Sequence, residues 1–338
     1  MHCGFCMFFG CEIGAKSSTL TALFPLAEST GRCEIRPDSY ARKIEVDRGG
    51  RVTGVKYFDA GRREVFQRAR AVVVCANGAE TPRLLLLSKS NRFPNSVANS
   101  NGQLGKSLMF DNGALSFGLF ERPLNEFKSV QVTRVIHDYY ASDPKRGFYG
   151  GGGIDARFQF YPAIFGLWAL PPDAARWGSG WKATMAEYFN RTMALLSHST
   201  CLAVEQNSIS LDAEVKDDRG LPALRVTFQN HPDDLKTMRF LLDRQMEVLD
   251  AAGATKNWAT PVGETNFSAH LMGTCRMGND PERSVVDRYH RTHEVRNLFV
   301  VDGSSLVTSG RQQPTCTIQA LAYRAAEHIS RFAKSGQI

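Results

Sequence analysis

The chain of 338 residues is 43% hydrophobic and 22% charged, proportions typical of a globular protein with room for one large domain or two ordinary ones. Its net charge of +7, from 41 Lys and Arg against 34 Asp and Glu, is scattered along the chain, so we expect no nucleic-acid partner. No apolar run has the length of a transmembrane segment, and the eight cysteines are too unevenly spaced for a small disulfide framework.

The amino-terminal stretch is rich in cysteine and glycine. Cys3, Cys6 and Cys11 form a Cys-x2-Cys-x4-Cys pattern with Gly4 and Gly10 between them. Thiolates this close together on a loop of small residues can hold an iron–sulfur cluster. Zinc fits less well, because no second Cys/His pair follows at the spacing of a zinc finger. Two interpretations stay open, an iron–sulfur site and ordinary thiols.

Short strands are predicted next along the chain. The alternation of polar and apolar residues predicts a β-meander over residues 32–35, 41–47, 52–58 and 65–66. The apolar run Ala69–Cys75 then predicts a buried strand of the parallel type. A turn at 76–79 leads into a helix that we expect to begin at Glu80, with Pro82 in its first turn.

The middle of the chain, from about residue 106 to residue 266, has a different character. Aromatic residues are frequent, and the alternating stretches around Ser208 and Leu224 predict two antiparallel strands. A helix is expected after them, capped by Asp233 or Asp234 and stopped by Gly253. This region is therefore predicted to be an antiparallel sheet with a helix packed on it.

The carboxy-terminal stretch has the strongest local pattern. The run Leu298–Val301 predicts a second buried parallel strand, and Pro314–Thr315 opens a long amphipathic helix. A helix start beside the carboxyl edge of a parallel strand favours an anionic or electron-rich ligand. Upstream, His270 lies in the loop SAHLMGTCRMG, and we predict a site built from this histidine and the start of that helix.

Two separated motifs resemble the carboxy-terminal signature of the glucose–methanol–choline (GMC) flavoprotein oxidoreductases. One is His-x-x-Gly-Thr-x-x-Met-Gly, which starts at His270, and the other runs from Val-Asp-Gly-Ser to Pro-Thr-x-Thr-Ile-x-Ala-Leu-Ala. The likeness extends to CGFCMFFGCEIGAKSS and CANGAETPRLLLLS nearer the start, and it is weakest between Asn112 and Thr200. Within that family, the chain resembles the sugar and gluconate dehydrogenase flavoprotein subunits.

The resemblance implies an enzyme that oxidises the CH–OH group of a sugar, sugar acid or other polar alcohol and passes the hydride to flavin N5. His270 takes the position of the general base, a role that suits a side chain titrating near neutral pH. Gln313 stands where the family usually has His or Asn to hold the substrate oxygen, and it either keeps that role or only fills the loop. Asp302, Gly303, Gln313, Pro314 and Thr315 are expected to hold the FAD.

The expected fold class is α+β: an α/β FAD-binding domain, incomplete at its N-terminus, at 1–105 and 267–338, and an antiparallel-sheet substrate domain at 106–266. The Gly-x-Gly-x-x-Gly fingerprint of the family is absent from the sequence. We therefore expect either the carboxy-terminal part of a longer flavoprotein or a chain whose missing half is a separate subunit. The alternative to an active enzyme is an inactive truncated chain, or a subunit that completes a partner's fold.

The partners implied by the resemblance are a small alcohol or sugar substrate, a small subunit and a cytochrome that accepts electrons. The compartment is expected to be cytoplasmic or periplasmic, with membrane association through a partner. His290 and His293, in YHRTHEV, are expected to be surface residues outside the site.

Overall fold

The computed structural model describes residues 9–128, 132–157, 160–263 and 268–338. The chain folds into two compact units, each assembled from three separate stretches. We call one the motif unit (Pro37–Asn112, Thr200–Asp234 and Glu264–Ile338) and the other the five-stranded unit (Met1–Arg36, Gly113–Ser199 and Leu235–Gly263).

Strands and helices alternate irregularly along the described chain. The strands are β1 (Tyr40–Val46), β2 (Val52–Phe58), β3 (Glu64–Arg68), β4 (Val72–Val74), β5 (Leu115–Leu119), β6 (Val132–Ile136), β7 (Gly152–Arg157), β8 (Thr192–Ser199), β9 (Ser208–Lys216), β10 (Pro222–Thr227), β11 (Lys256–Ala259) and β12 (Leu298–Val300). The helices are α1 (Thr19–Ala22), α2 (Phe24–Ser29), α3 (Asn77–Leu87), α4 (Pro162–Ile164), α5 (Gly178–Tyr188), α6 (Pro232–Ala251) and α7 (Thr315–Lys334).

The motif unit is built around a short parallel pair, β4 with β12, in which Val72 is opposite Leu298 and Val74 is opposite Val300. All three residues of β12 are fully buried, which fits the apolar composition of this run. The antiparallel sheet β1-β2-β3 adjoins this pair. Asn297 joins the two, because its side chain accepts from the Val52 N–H and donates to the Val52 carbonyl, each at 2.9 Å.

The five-stranded unit contains one antiparallel sheet with the strand order β11-β5-β8-β7-β6. Helix α6 supplies Leu241 and Leu249 to a core shared with Ile154 and Leu195 of the sheet. A second core forms around Phe117 and Trp258, whose rings stack at 5.6 Å. The described residues of this unit therefore form an apolar core of their own.

The predicted α+β class is confirmed, and most elements form where the sequence places them. Four local predictions are wrong. Residues 32–35 form no strand, and α3 begins at Asn77 rather than at Glu80. Pro314 occupies the N-cap of α7 rather than its first helical position. Asp233 and Asp234 lie inside the first turn of α6, which begins at Pro232, rather than at its N-cap. Asn77 has a positive φ of 70°, and its side chain accepts from the Ala79 N–H at 2.8 Å, which starts the helix earlier than expected.

The division into an FAD domain at 1–105 and 267–338 and a substrate domain at 106–266 stays a prediction. Among the described helices, none is both long enough and apolar enough to span a lipid bilayer.

Candidate active site

His270 is held by a buried carboxylate. Its Nδ1 lies 3.1 Å from Oδ2 of Asp111, whose side chain is fully buried, while the side chain of His270 is 23% exposed. The His270 N–H donates to the Ser268 hydroxyl at 3.1 Å, which fixes the backbone of the loop. An ionised carboxylate accepts hydrogen bonds but cannot donate one. The geometry therefore favours the His270 tautomer with hydrogen on Nδ1.

Backbone pairing explains why these two side chains meet. Met109 and Met272 form an antiparallel bridge, with N–H to carbonyl distances of 2.9 and 3.0 Å. Two residues after Met109 comes Asp111, and two residues before Met272 comes His270, so the two side chains project from the same face. The pair is therefore a consequence of the strand register.

Gly273 lets the two paired segments approach closely. Its φ is +92°, and a Cβ built on it would lie 2.1 Å from the Ser107 carbonyl oxygen. Only glycine fits such a contact without a shift of the backbone. The glycine of the His-x-x-Gly-Thr motif thus keeps His270 in register with Asp111.

The neighbouring threonine fastens the same loop to the start of α3. Thr274 Oγ1 donates to the Gly78 carbonyl at 2.7 Å. A Cβ on Gly78 would lie 2.5 Å from the Leu271 carbonyl oxygen, and one on Gly303 would lie 2.8 Å from the same atom. The loop that carries His270 therefore packs on both the turn after β4 and the turn after β12.

Asp302 links these two turns. One carboxylate oxygen accepts from the N–H of Ser304 at 2.8 Å and from its hydroxyl at 2.5 Å, and the other accepts from the Thr81 hydroxyl at 2.5 Å. Thr81 in turn accepts from the Ala76 N–H at 2.9 Å. The Asp302 side chain, which the sequence predicts to hold the cofactor, therefore stabilises the turns that follow β4 and β12.

The start of α7 is an uncapped helix end. Its N-cap is Pro314, and among the described residues no side chain caps its first turn and no acidic residue lies there. Gln313 and Thr315 are exposed, and the buried Nε2 of Gln312 has no hydrogen-bond partner among the described residues. The N–H groups of this first turn fit an electron-rich ring edge such as the pyrimidine side of a flavin.

The predicted cysteine site is described only in part, because Cys3 and Cys6 lie outside the described residues. Cys11 is a free thiol, and backbone hydrogen bonds, that of Lys16 foremost, lower its pKa. A lowered pKa favours the thiolate that metal ligation needs.

His290 is not the surface residue that the sequence predicts. It is 1% exposed, it has a positive φ of 65°, and its Nδ1 lies 3.0 Å from the Val300 carbonyl at the end of β12. Burial lowers its pKa. His293 is partly buried, with its Nε2 2.9 Å from the Ser284 hydroxyl.

Two groups of polar residues escape sequence reasoning. Asp111 follows the apolar run Leu108–Phe110, and a lone acid after such a run is the available signal. In the five-stranded unit, Asp155, Arg157 and His198 form a buried charged cluster across β7 and β8. The spacing of Asp155 and Arg157 on one face of β7 can be read from the sequence, but their pairing with His198 on β8 cannot.

Solved structures of similar fold align with the chain. A formate oxidase variant from Aspergillus oryzae aligns with a TM-score of 0.69 and 15% identity, over 95% of this chain and 64% of that one. Pyridoxine 4-oxidase from Mesorbium loti aligns with a TM-score of 0.60 and 17% identity, over 87% of this chain and 57% of that one. At these identities the likeness establishes the fold.

The family follows from two sequence models, both described as GMC oxidoreductase, that match residues 1–109 and 203–322. The chain belongs to the GMC oxidoreductases, a family of FAD-binding proteins that act on alcohols and sugars.

Three curated relatives are similar over nearly the whole chain. The 2-methyl-1,2-propanediol dehydrogenase of Mycolicibacterium austroafricanum is 37% identical, over 95% of this chain and 58% of the relative. The gluconate 2-dehydrogenase flavoprotein of Pantoea cypripedii is 28% identical, over 97% and 55%. The fructose dehydrogenase large subunit of Gluconobacter japonicus is 30% identical, over 96% and 59%. The chain therefore spans somewhat more than half the length of these relatives.

Proposed function

We propose that the chain takes part in the FAD-dependent oxidation of the CH–OH group of a sugar, sugar acid or other polar alcohol. The observation that carries this proposal is the His270 imidazole, whose Nδ1 lies 3.1 Å from buried Asp111 and whose side chain is 23% exposed. A histidine in this setting can remove the hydroxyl proton as the carbon is oxidised. The names of the three relatives, which refer to a diol, gluconate and fructose, support a polar substrate.

The residues for the cofactor are proposed from the same unit. Gly303 and the backbone of Asp302 lie at the end of β12, and Gln313, Pro314 and Thr315 lie at the uncapped start of α7. When bound there, FAD supplies the acceptor, at N5, for the hydride that leaves the substrate carbon. The N–H groups of the first turn would favour negative charge on the ring edge, and the exposed amide of Gln313 would hold the substrate oxygen.

An iron–sulfur cluster at Cys3, Cys6 and Cys11 and a cytochrome partner belong to the same proposal as the route by which electrons leave. The similarity to two dehydrogenase chains, one of them named a large subunit, supports a multisubunit assembly. Iron and acid-labile sulfide analysis of the purified protein and of a Cys6→Ser variant tests the cluster.

His270→Asn tests the role of the base. With flavin loading matched to the unchanged protein, kcat for a panel of diols and sugar acids should fall on the order of 10²- to 10⁴-fold, because no side chain remains to take the proton. His137→Asn is the control, since His137 is exposed. A flavin-loaded His270→Asn protein with unchanged kcat would refute the assignment.

A second candidate is a chain that is inactive alone and completes the fold of a partner. The observation that favours it is the size of the parallel sheet, which in the described part of the chain has only β4 and β12 and leaves Val73 44% exposed. Flavin absorbance decides between the two candidates: stoichiometric FAD with turnover in the purified chain excludes the second, and a flavin-free, inactive chain supports it.

A further inference from the structure

We infer that Asp111 is the positioning residue for His270: its carboxylate accepts from Nδ1–H, which leaves Nε2 as the ring nitrogen that receives the substrate proton. The inference rests on the proposed function, since it gives a role to a partner of the proposed base. It concerns a residue that lies outside both sequence motifs and is 159 positions away along the chain.

The geometry is that of a held ring rather than of a chance contact. The Met109–Met272 bridge fixes both backbones, Gly273 sets their separation, and the Nδ1 to Oδ2 distance of 3.1 Å is that of a hydrogen bond. The Asp111 side chain is fully buried while that of His270 is 23% exposed, so the imidazole rather than the carboxylate is accessible to a ligand.

The chemistry of the pair follows from its charge. A buried carboxylate is strongly desolvated, and it is stabilised when a neighbouring ring donates to it or becomes positive. When the substrate hydroxyl gives its proton to Nε2, the O–H bond breaks, an N–H bond forms and the ring becomes an imidazolium beside the Asp111 carboxylate. The C–H bond breaks with its electron pair, which would leave as hydride to FAD when it is bound, and the C–O bond becomes a carbonyl, so charge and electrons balance.

The acceptor-only character of a carboxylate explains why an acid suits this position better than an amide. An ionised carboxylate is an acceptor only, so it selects one tautomer of the imidazole. An asparagine can turn its NH₂ toward Nδ1 and stabilise the opposite tautomer, in which Nε2 carries hydrogen and cannot take the proton. Asp111→Asn is therefore expected to change the tautomer of the His270 ring while nearly keeping the shape of the side chain at position 111.

The first test is spectroscopic and does not depend on turnover. Ring nitrogens of the ¹⁵N-histidine-labelled protein are observed by NMR, and the His270 signals are assigned by their loss in His270→Asn. The unchanged protein should show hydrogen on Nδ1 of His270. Asp111→Asn should show a mixed or reversed tautomer, and the exposed Asp138→Asn should leave the signals unchanged. Hydrogen on Nε2 in the unchanged protein would overturn the inference.

The second test is kinetic. Asp111→Asn should lower kcat on the order of 10²-fold while KM changes by less than about threefold, because proton transfer is impaired and binding is not. Asp111→Glu should restore part of kcat, since it returns an acceptor-only carboxylate. An Asp111→Asn protein with unchanged kcat and unchanged tautomer, beside an inactive His270→Asn protein, would refute the positioning role alone. An active His270→Asn protein would instead refute the proposed function, and the NMR result for the pair would still stand.

Discussion

At the scale of single residues, His290 shows how burial can set the pH range in which the fold is stable. Its Nδ1 donates to the Val300 carbonyl, and its buried Nε2 has no partner among the described residues. A second ring proton would have no acceptor there, and burial lowers the pKa below the ordinary value of 6.5. The unfolded chain therefore binds a proton more readily than the folded chain does, and stability is lost as pH falls below that ordinary value.

The change that tests this is His290→Asn, which keeps a donor and tolerates the positive φ. Between about pH 7.5 and about pH 5.5, the free energy of urea unfolding should fall by roughly 1 kcal/mol less in the variant than in the unchanged protein. The test compares how steeply the free energy of unfolding changes with pH in the two proteins, because other groups titrate in the same range. Asp234, whose pKa burial raises to about 6, contributes with the opposite sign. Parallel slopes in the two proteins would refute the prediction, and exposed His137→Asn serves as the control.

At the scale of elements, the segments that carry Asp111 and His270 depend on one close approach. Alanine at Gly273 would bring a Cβ to 2.1 Å from the Ser107 carbonyl oxygen, whereas alanine at Gly310 would meet nothing within 4 Å. Both glycines have positive φ, +92° and +75°. The two substitutions share the backbone strain and differ in the clash.

Gly273→Ala should therefore lower the free energy of unfolding by about 2 to 4 kcal/mol, and Gly310→Ala by about 1 kcal/mol. The activity should separate the two further. In Gly273→Ala the shifted segment displaces His270 from Asp111, so kcat should fall even below the unfolding temperature, while Gly310→Ala keeps kcat. Denaturant melts and kcat measured on the same preparations check both. Equal losses in the two variants would mean that the close approach is unimportant.

Local pattern is enough to predict some elements and cannot predict others. β4, β12 and α7 are predictable because their apolar residues recur at strand or helix spacing within one short run. The start of α3 is misplaced by the sequence because Asn77 adopts a left-handed conformation that no periodicity reveals. The pairing of Asp111 with His270 is beyond prediction, since it depends on a register between segments far apart in the chain.

The resemblance to a family supplies what periodicity cannot. It singles out His270, Asp302 and the start of α7, residues that the structure places in one unit. It does not reveal that the Asp302 carboxylate is used by Thr81 and Ser304, because these contacts belong to the packing of two turns. It also misjudges His290, whose burial follows from its contact with the end of β12.

At the scale of the whole molecule, each unit is assembled from three separate stretches of chain, and each has its own apolar core. The five-stranded unit also buries charge. Asp155 and Arg157 form a salt bridge with side chains 0% and 4% exposed, and Arg157 Nη2 lies 3.1 Å from His198 Nε2. Burial raises the pKa of Asp155, but hydrogen bonds from His198 and Arg157 more than offset this, and the net pKa is lowered. The stability that Asp155 contributes is thus present above the ordinary value of 3.8 and is lost as pH falls through the lowered pKa.

Asp155→Asn should destabilise the five-stranded unit by about 3 to 5 kcal/mol, because it leaves the Arg157 charge buried without its partner. The matched control in the same unit is Asp173→Asn, which removes an exposed ion pair with Lys256 and should change stability little. Hydrogen exchange read by mass spectrometry locates the effect. Amides of β7 and β8 should exchange faster in Asp155→Asn, while those of β12 in the motif unit keep their protection if the two cores unfold separately. Faster exchange in β12 to the same extent would show that both units unfold as one, and unchanged exchange in β7 would show that the buried pair does not stabilise its own sheet.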